Sequence, residues 1–226
     1  MRFYLVFAVA ITILSYCSAR SGLTEEEFIN TMEKLQPYWM TRRSYSDTIE
    51  EKEKVCVQTK LKAVVQTSEE EKKQDASRSE QTTRQYQFVQ SYKLFGCDWF
   101  YYTHDATYNV TFFNDTKAGR GLAMHMEPAQ EGYGKAVTYQ FQFWDKKKKC
   151  FVLTKEVEGQ KLCELHAWDS AAEPQAKFPS CEKAYKKHCK ETTTSREVFT
   201  DNCRVNASTW TLNQNQNISG CFQQKT

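Results

Sequence analysis

Within "KCFVLTKEVEGQKLCELHAW" (residues 149–168), two cysteines, a glutamate, a histidine and a tryptophan fall inside twenty residues. Such a set reads either as a metal or catalytic cluster, or as one wall of a pocket that binds without chemistry. Zinc would draw on Cys150, Cys163 and His166, yet the chain has no C-x-x-C pair and no H-x₃-H pair. On a strand, side chains alternate faces, so Cys163 and His166, three residues apart, point to opposite sides. Catalytic signatures are missing as well: there is no G-x-S-x-G, no H-E-x-x-H and no glycine-rich phosphate loop. The carboxylates Asp98, Asp105 and Glu164 would pair only through tertiary accident. No cofactor, no metal and no enzymatic activity are expected, which leaves a binding wall.

The compartment follows from the first residues. "MRFYLVFAVAITILSYCSAR" carries Arg2, an apolar run from Phe3 to Leu14, and small residues Ser18 and Ala19. This is the layout of a secretory signal peptide over residues 1–19, too short in its apolar part to span a bilayer. Cys17 leaves with it. Eight cysteines remain: Cys56, Cys97, Cys150, Cys163, Cys181, Cys189, Cys203 and Cys221. An even set in a secreted chain reads as four disulfides, and paired thiols neither ligate nor attack. Sequons at Asn109, Asn114, Asn206 and Asn217 agree with an extracellular glycoprotein. The formal charge of +3 falls to +2 without Arg2, which is too little to imply a nucleic-acid partner. No membrane partner is expected either.

The elements that must carry the wall are mostly strands. "LTEEEFINTMEKLQ" (Leu23–Gln36) reads as a short helix, with Thr24 and Glu27 as a capping box and Phe28, Met32 and Leu35 on one face. Pro37 stops it, and "YWMTRRSY" continues as a first strand. "VCVQTKLKAVV" (Val55–Val65) alternates with period two. Further strands follow in "YQFVQSYKLF", "CDWFYYTHDATYNVTFF", "GLAMHME", "AVTYQFQFWD", "CFVLTKEV" and "KLCELHAW". The Lys146–Lys149 run is a solvated hairpin turn, and "SCEKAYKKHCKE" a late helix with Cys181 and Cys189 two turns apart. The expected fold is all-β with flanking helices: an eight-stranded antiparallel barrel whose interior admits a small ligand.

The motifs "KVCVQT" with Cys56, "KKCFVLT" with Cys150, "CELHAWD", "FPSCEKAYKKHC" and "REVFTDNC" ending at Cys203 resemble, in order and spacing, those of the tick salivary histamine-binding lipocalins. The resemblance implies a lipocalin domain over residues 20–203, followed by a disulfide-tethered, glycosylated tail at 204–226. It implies the bonds Cys56–Cys203 and Cys150–Cys181; the four other cysteines are then assigned as Cys163–Cys189 and Cys97–Cys221. With Cys150 and Cys163 turned outward toward the late helix, Phe151, Leu153, Glu164, His166 and Trp168 face inward. Cys56 outward likewise sends Val55, Val57 and Leu61 inward.

Members of that family that hold histamine use inward carboxylates beside aromatic rings. Their amine signature is an aspartate after the cysteine of the "KC" strand, then E-L-W or E-L-Y. Here Phe151 replaces the aspartate and His166 the aromatic, while Glu164 and Leu165 are kept. Tyr45 matches a tyrosine of the amine pocket and Asp47 a carboxylate near it. The implied ligand-binding set is Glu164, Tyr45, Asp47, Phe151, Trp168, His166 and Tyr139. The ligand class implied is a biogenic amine, histamine or serotonin, bound by a monomer in the extracellular space. A carboxylate-bearing eicosanoid or fatty acid, met by Arg42, Arg43 or His166, is the alternative; a protein target engaged through the loops is another. Against all three stands a purely structural reading. In it Glu164 is hydrogen-bonded to Tyr139 or His166, and Phe151, Tyr139, Phe141 and Trp168 are ordinary core.

Overall fold

Alternation along the strands sorts the side chains into two populations, and the sheet closes around one of them. The computed structural model describes residues 23–35, 37–49, 51–65, 84–95, 104–115, 121–130, 134–189 and 195–204. The proposed signal peptide, Cys97, Cys221, Asn206, Asn217 and the side chain of Leu35 lie outside the described residues. In chain order the elements are α1 (Glu25–Leu35), β1 (Tyr38–Arg43), β2 (Thr48–Ile49), β3 (Lys52–Val65), β4 (Gln85–Leu94), β5 (His104–Asp115), β6 (Gly121–Pro128), β7 (Val137–Asp145), β8 (Cys150–Val157), β9 (Gln160–Trp168), α2 (Pro179–His188) and β10 (Arg196–Glu197). A 3₁₀ turn, Asp201–Arg204, follows. Strands β3 to β9 pair antiparallel in sequence order, β9 pairs with β1, and β1 returns to β3 through Tyr38–Thr59 and Trp39–Gln58. Eight strands therefore close a barrel, and the two-residue strands β2 and β10 decorate it. Among the described residues, no helix is long and apolar enough to cross a membrane.

The inner population is a cluster of Phe28, Tyr38, Phe88, Phe112, Phe141, Phe151, Leu153, Trp168 and their neighbours. Helix α1 starts at Thr24, whose hydroxyl accepts the Glu27 amide at 3.1 Å, and buries Phe28, Ile29 and Met32. Phe28 meets the rings of Tyr38, Phe112, Phe141, Trp144, Phe151 and Trp168 at 4.9–6.0 Å, so the helix plugs one end of the barrel. Tyr86 secures the plug by donating to Glu25 at 2.6 Å. Burying rings of this size is the largest hydrophobic contribution a core can draw on.

The outer population on β8 and β9 is Cys150, Val152, Cys163, Leu165 and Ala167, packed under Phe178, Ala184 and Tyr185 near or on α2. Cys150 bonds Cys181 and Cys163 bonds Cys189, fastening α2 at both ends, while Cys56 bonds Cys203 across 147 residues.

One inward assignment is corrected. Val55 packs with the outer cluster around Cys56, whereas Val57 joins Met40, Tyr92, Leu94 and Val198, and Leu61 touches the inner cluster. The ladder between β3 and β4 slips between Val55 and Gln58, where Cys56 adopts φ 54°. A bulge inserts an extra residue and breaks the period of two, so parity cannot be counted through it.

Candidate functional site

Two short segments bring the polar groups together at the barrel end opposite α1. The first is the β8–β9 hairpin, whose central residues Glu158 and Gly159 both have positive φ, 53° and 76°. Such a primed two-residue turn matches the strand twist and fixes the register. Val157 faces Gln160, Lys155 faces Leu162, Leu153 faces Glu164 and Phe151 faces His166. Lys155 and Glu164 are thus diagonal neighbours on the inner face, within reach of a long side chain. The second segment is the corner after β1. Ser44 donates its amide to the Cys163 carbonyl and accepts the Cys163 amide on its hydroxyl, both near 3 Å. Arg43, fully buried, donates to Glu53 at 2.6 Å and to the Lys54 and Tyr45 carbonyls. These bonds hold Tyr45 over Glu164.

Glu164 is 2% exposed and its carboxylate is fully engaged. Oε1 accepts from the Tyr45 hydroxyl and lies 3.1 Å from the Lys155 ammonium. Oε2 accepts from His166 Nε2 at 3.0 Å. Lys155 also donates to Tyr45 Oη at 2.7 Å and Tyr139 Oη at 3.3 Å. The same ammonium lies 4.2 Å from the Tyr45 ring centre and 5.2 Å from that of Tyr139, close enough for cation–π attraction. Burial by itself would raise the Glu164 carboxyl, but Lys155, His166 and Tyr45 outweigh it and hold the group well below the usual carboxylate range. Burial and the nearby Glu164 charge push the Tyr45 and Tyr139 phenols well above their ordinary values, so both stay protonated and able to donate.

The seven residues expected to bind ligand divide into a site and its surroundings. Glu164, Tyr45, Tyr139 and His166 meet. Phe151 lies beside them, stacked on His166 with ring centres 5.0 Å apart and planes 13° from parallel. It is fully buried and also touches Phe28, Tyr38, Phe141, Trp144 and Trp168. Trp168 is four residues along β9, roughly 13 Å from Glu164 at ordinary strand rise, and belongs to the α1 end. Asp47 sits at the rim, 3.4 Å from Lys54 and 3.9 Å from Arg43, and its charge helps to raise the Tyr108 phenol after burial. Arg43, a candidate partner for a lipid carboxylate, is committed to Glu53 and backbone carbonyls. Among the described residues, no three His, Cys, Asp or Glu side chains are grouped to hold a metal ion.

Lys155 is a residue of the candidate site that sequence reasoning missed. The signal was there: 151, 153 and 155 share one parity, so the face that turns Phe151 and Leu153 inward turns Lys155 inward too. Chemically, the arrangement presents an ionised carboxylate, two phenol hydroxyls and two ring faces, a set complementary to an ammonium group. A family model described as tick histamine binding protein matches residues 23–205. Among curated proteins, no relative matches the chain.

Proposed function

The chain belongs to the tick histamine-binding protein family, whose members bind small molecules in a barrel, and on that premise we propose that it sequesters a biogenic amine. The observation that carries this reading is Glu164: a buried carboxylate kept ionised and bordered by the Tyr45 and Tyr139 rings. An amine such as histamine or serotonin would place its ammonium against Glu164 and those rings, with Asp47 adding negative potential at the rim. His166 and Phe151 would border the remainder of the ligand. No step requires chemistry on the ligand, so capture is stoichiometric. Acting as a secreted monomer in saliva, such a protein would lower the free concentration of a mediator of host inflammation or haemostasis.

The test is calorimetry on disulfide-intact protein with histamine, serotonin and leukotriene B4. Binding of either amine should be lost in Glu164→Gln, because an amide keeps the shape of the carboxylate but not its charge. Unchanged amine affinity in that variant overturns the reading. A second reading, an eicosanoid or fatty acid, draws on the aromatic interior around Phe151 and on Lys155 as a partner for a carboxylate. Heat from the lipid alone would favour it, and silence from all three would favour a protein target engaged through the loops.

A further inference from the structure

A primary ammonium has three N–H donors, and those of Lys155 find three oxygens: Glu164 Oε1, Tyr45 Oη and Tyr139 Oη at 3.1, 2.7 and 3.3 Å. With the two ring faces at 4.2 and 5.2 Å, this is a complete seat for one alkylammonium group, occupied by the protein's own. A ligand ammonium and Lys155 cannot both hold it. The tether explains how Lys155 yields. Its side chain is 12% exposed against 2% for Glu164, and it lies two residues from the last residue of β8. A flexible four-carbon stem can turn its ammonium from the interior toward water at the hairpin end of the barrel, where solvent replaces Glu164.

We propose that Lys155 is a specificity-determining residue of the amine site: it is an internal competitor that fills the primary-ammonium seat of the free protein and turns outward when a ligand enters. This rests on the amine reading above and adds an exchange to it. The occupied seat lowers apparent affinity by the fraction of molecules in which Lys155 is already out. It also selects the ligand class: a primary ammonium matches all three oxygens, whereas a quaternary one, lacking N–H donors, cannot.

Two measurements test it. In the first, histamine is titrated into the wild-type protein and into Lys155→Met, where the expected result is an affinity at least about tenfold higher in the variant. In the second, wild-type lysines are acetylated with an amine-reactive ester and followed by peptide mass spectrometry. Lys155 should react more slowly than the turn residues Lys146–Lys148 in free protein, and its rate relative to theirs should rise at saturating histamine, whose own amine consumes reagent for all sites alike. Histamine binding of equal strength in both proteins, or a rate of Lys155 acetylation relative to Lys146–Lys148 that is unchanged or lowered by histamine, overturns the exchange while leaving the amine reading intact. No amine binding by either folded protein overturns both. Should Lys155→Met fail to fold, the acetylation pattern of the wild-type protein decides alone.

Discussion

At Glu164 one side chain carries both the proposed binding chemistry and a contribution to stability. Removing a carboxylate from water is costly, and it stays charged only because Lys155, His166 and Tyr45 answer it. The sign of the pH effect follows. A carboxyl whose value is depressed in the folded state contributes stability that is fully present above its unfolded value. That contribution is lost as pH falls through about 4.3 toward the depressed value. Urea unfolding at about pH 6 and about pH 3 should therefore show the wild-type protein losing part of its advantage over Glu164→Gln at the lower pH. A stability difference that does not change between the two would mean the ion pair contributes nothing. Phe151 illustrates the other limit of reading single residues. Its replacement of an aspartate predicts the loss of one charge, but not that the ring stacks on His166 and joins the core around Phe28.

At the scale of elements, the β8–β9 hairpin does most to position the site, because its register sets which residues face Glu164. Glu158 holds φ 53°, a conformation that asparagine tolerates better than other side chains, while Gly159 at φ 76° needs no replacement. Glu158→Asn would create an Asn-Gly turn and should raise stability by about 0.5–1 kcal/mol in chemical denaturation, with ligand affinity unchanged. A fall in stability would show that the turn is not of the primed kind. The alternation of β8 and β9 is legible from "KCFVLTKEVEGQKLCELHAW", since neither strand contains a bulge between them. Strand β3 is not legible in that way: the slip at Cys56 moves Val55 to the outer cluster, and nothing in "KVCVQT" marks it.

At the scale of the whole molecule, the disulfides tie late chain to early wall. In the chain-entropy account, a crosslink restricts the unfolded state more as its loop lengthens. Cys56–Cys203 closes a separation of 147 residues and Cys163–Cys189 one of 26. Replacing the first pair by alanine should cost about 5 kcal/mol and the second about 3.5 kcal/mol, measured by urea unfolding. The reverse order would show that α2 docking outweighs loop closure. Both losses are expected to act on stability alone, whereas substitutions at Lys155 or Glu164 act on the candidate site as well. A change in amine affinity that accompanies removal of Cys163–Cys189 would reveal coupling between α2 and the inner face of β9.

Sequence by itself determined the class of fold and the alternation of β8 and β9; which face is inner followed from the cysteine pairings that the family resemblance implies. Period-two alternation and cysteine parity are local properties, and they do not depend on where the chain goes next. Family resemblance added Tyr45 and Asp47 as candidates near Glu164. Only the tertiary structure decided that Tyr45, Tyr139 and Lys155, from a corner and two strands, converge on one carboxylate. The physical reason is that an ion pair depends on distances of a few ångströms between residues far apart in sequence. Barrel closure and the Ser44–Cys163 bonds set those distances, and no local pattern encodes them. Glu164 was legible as an inward carboxylate; that the protein's own Lys155 already pairs with it was not.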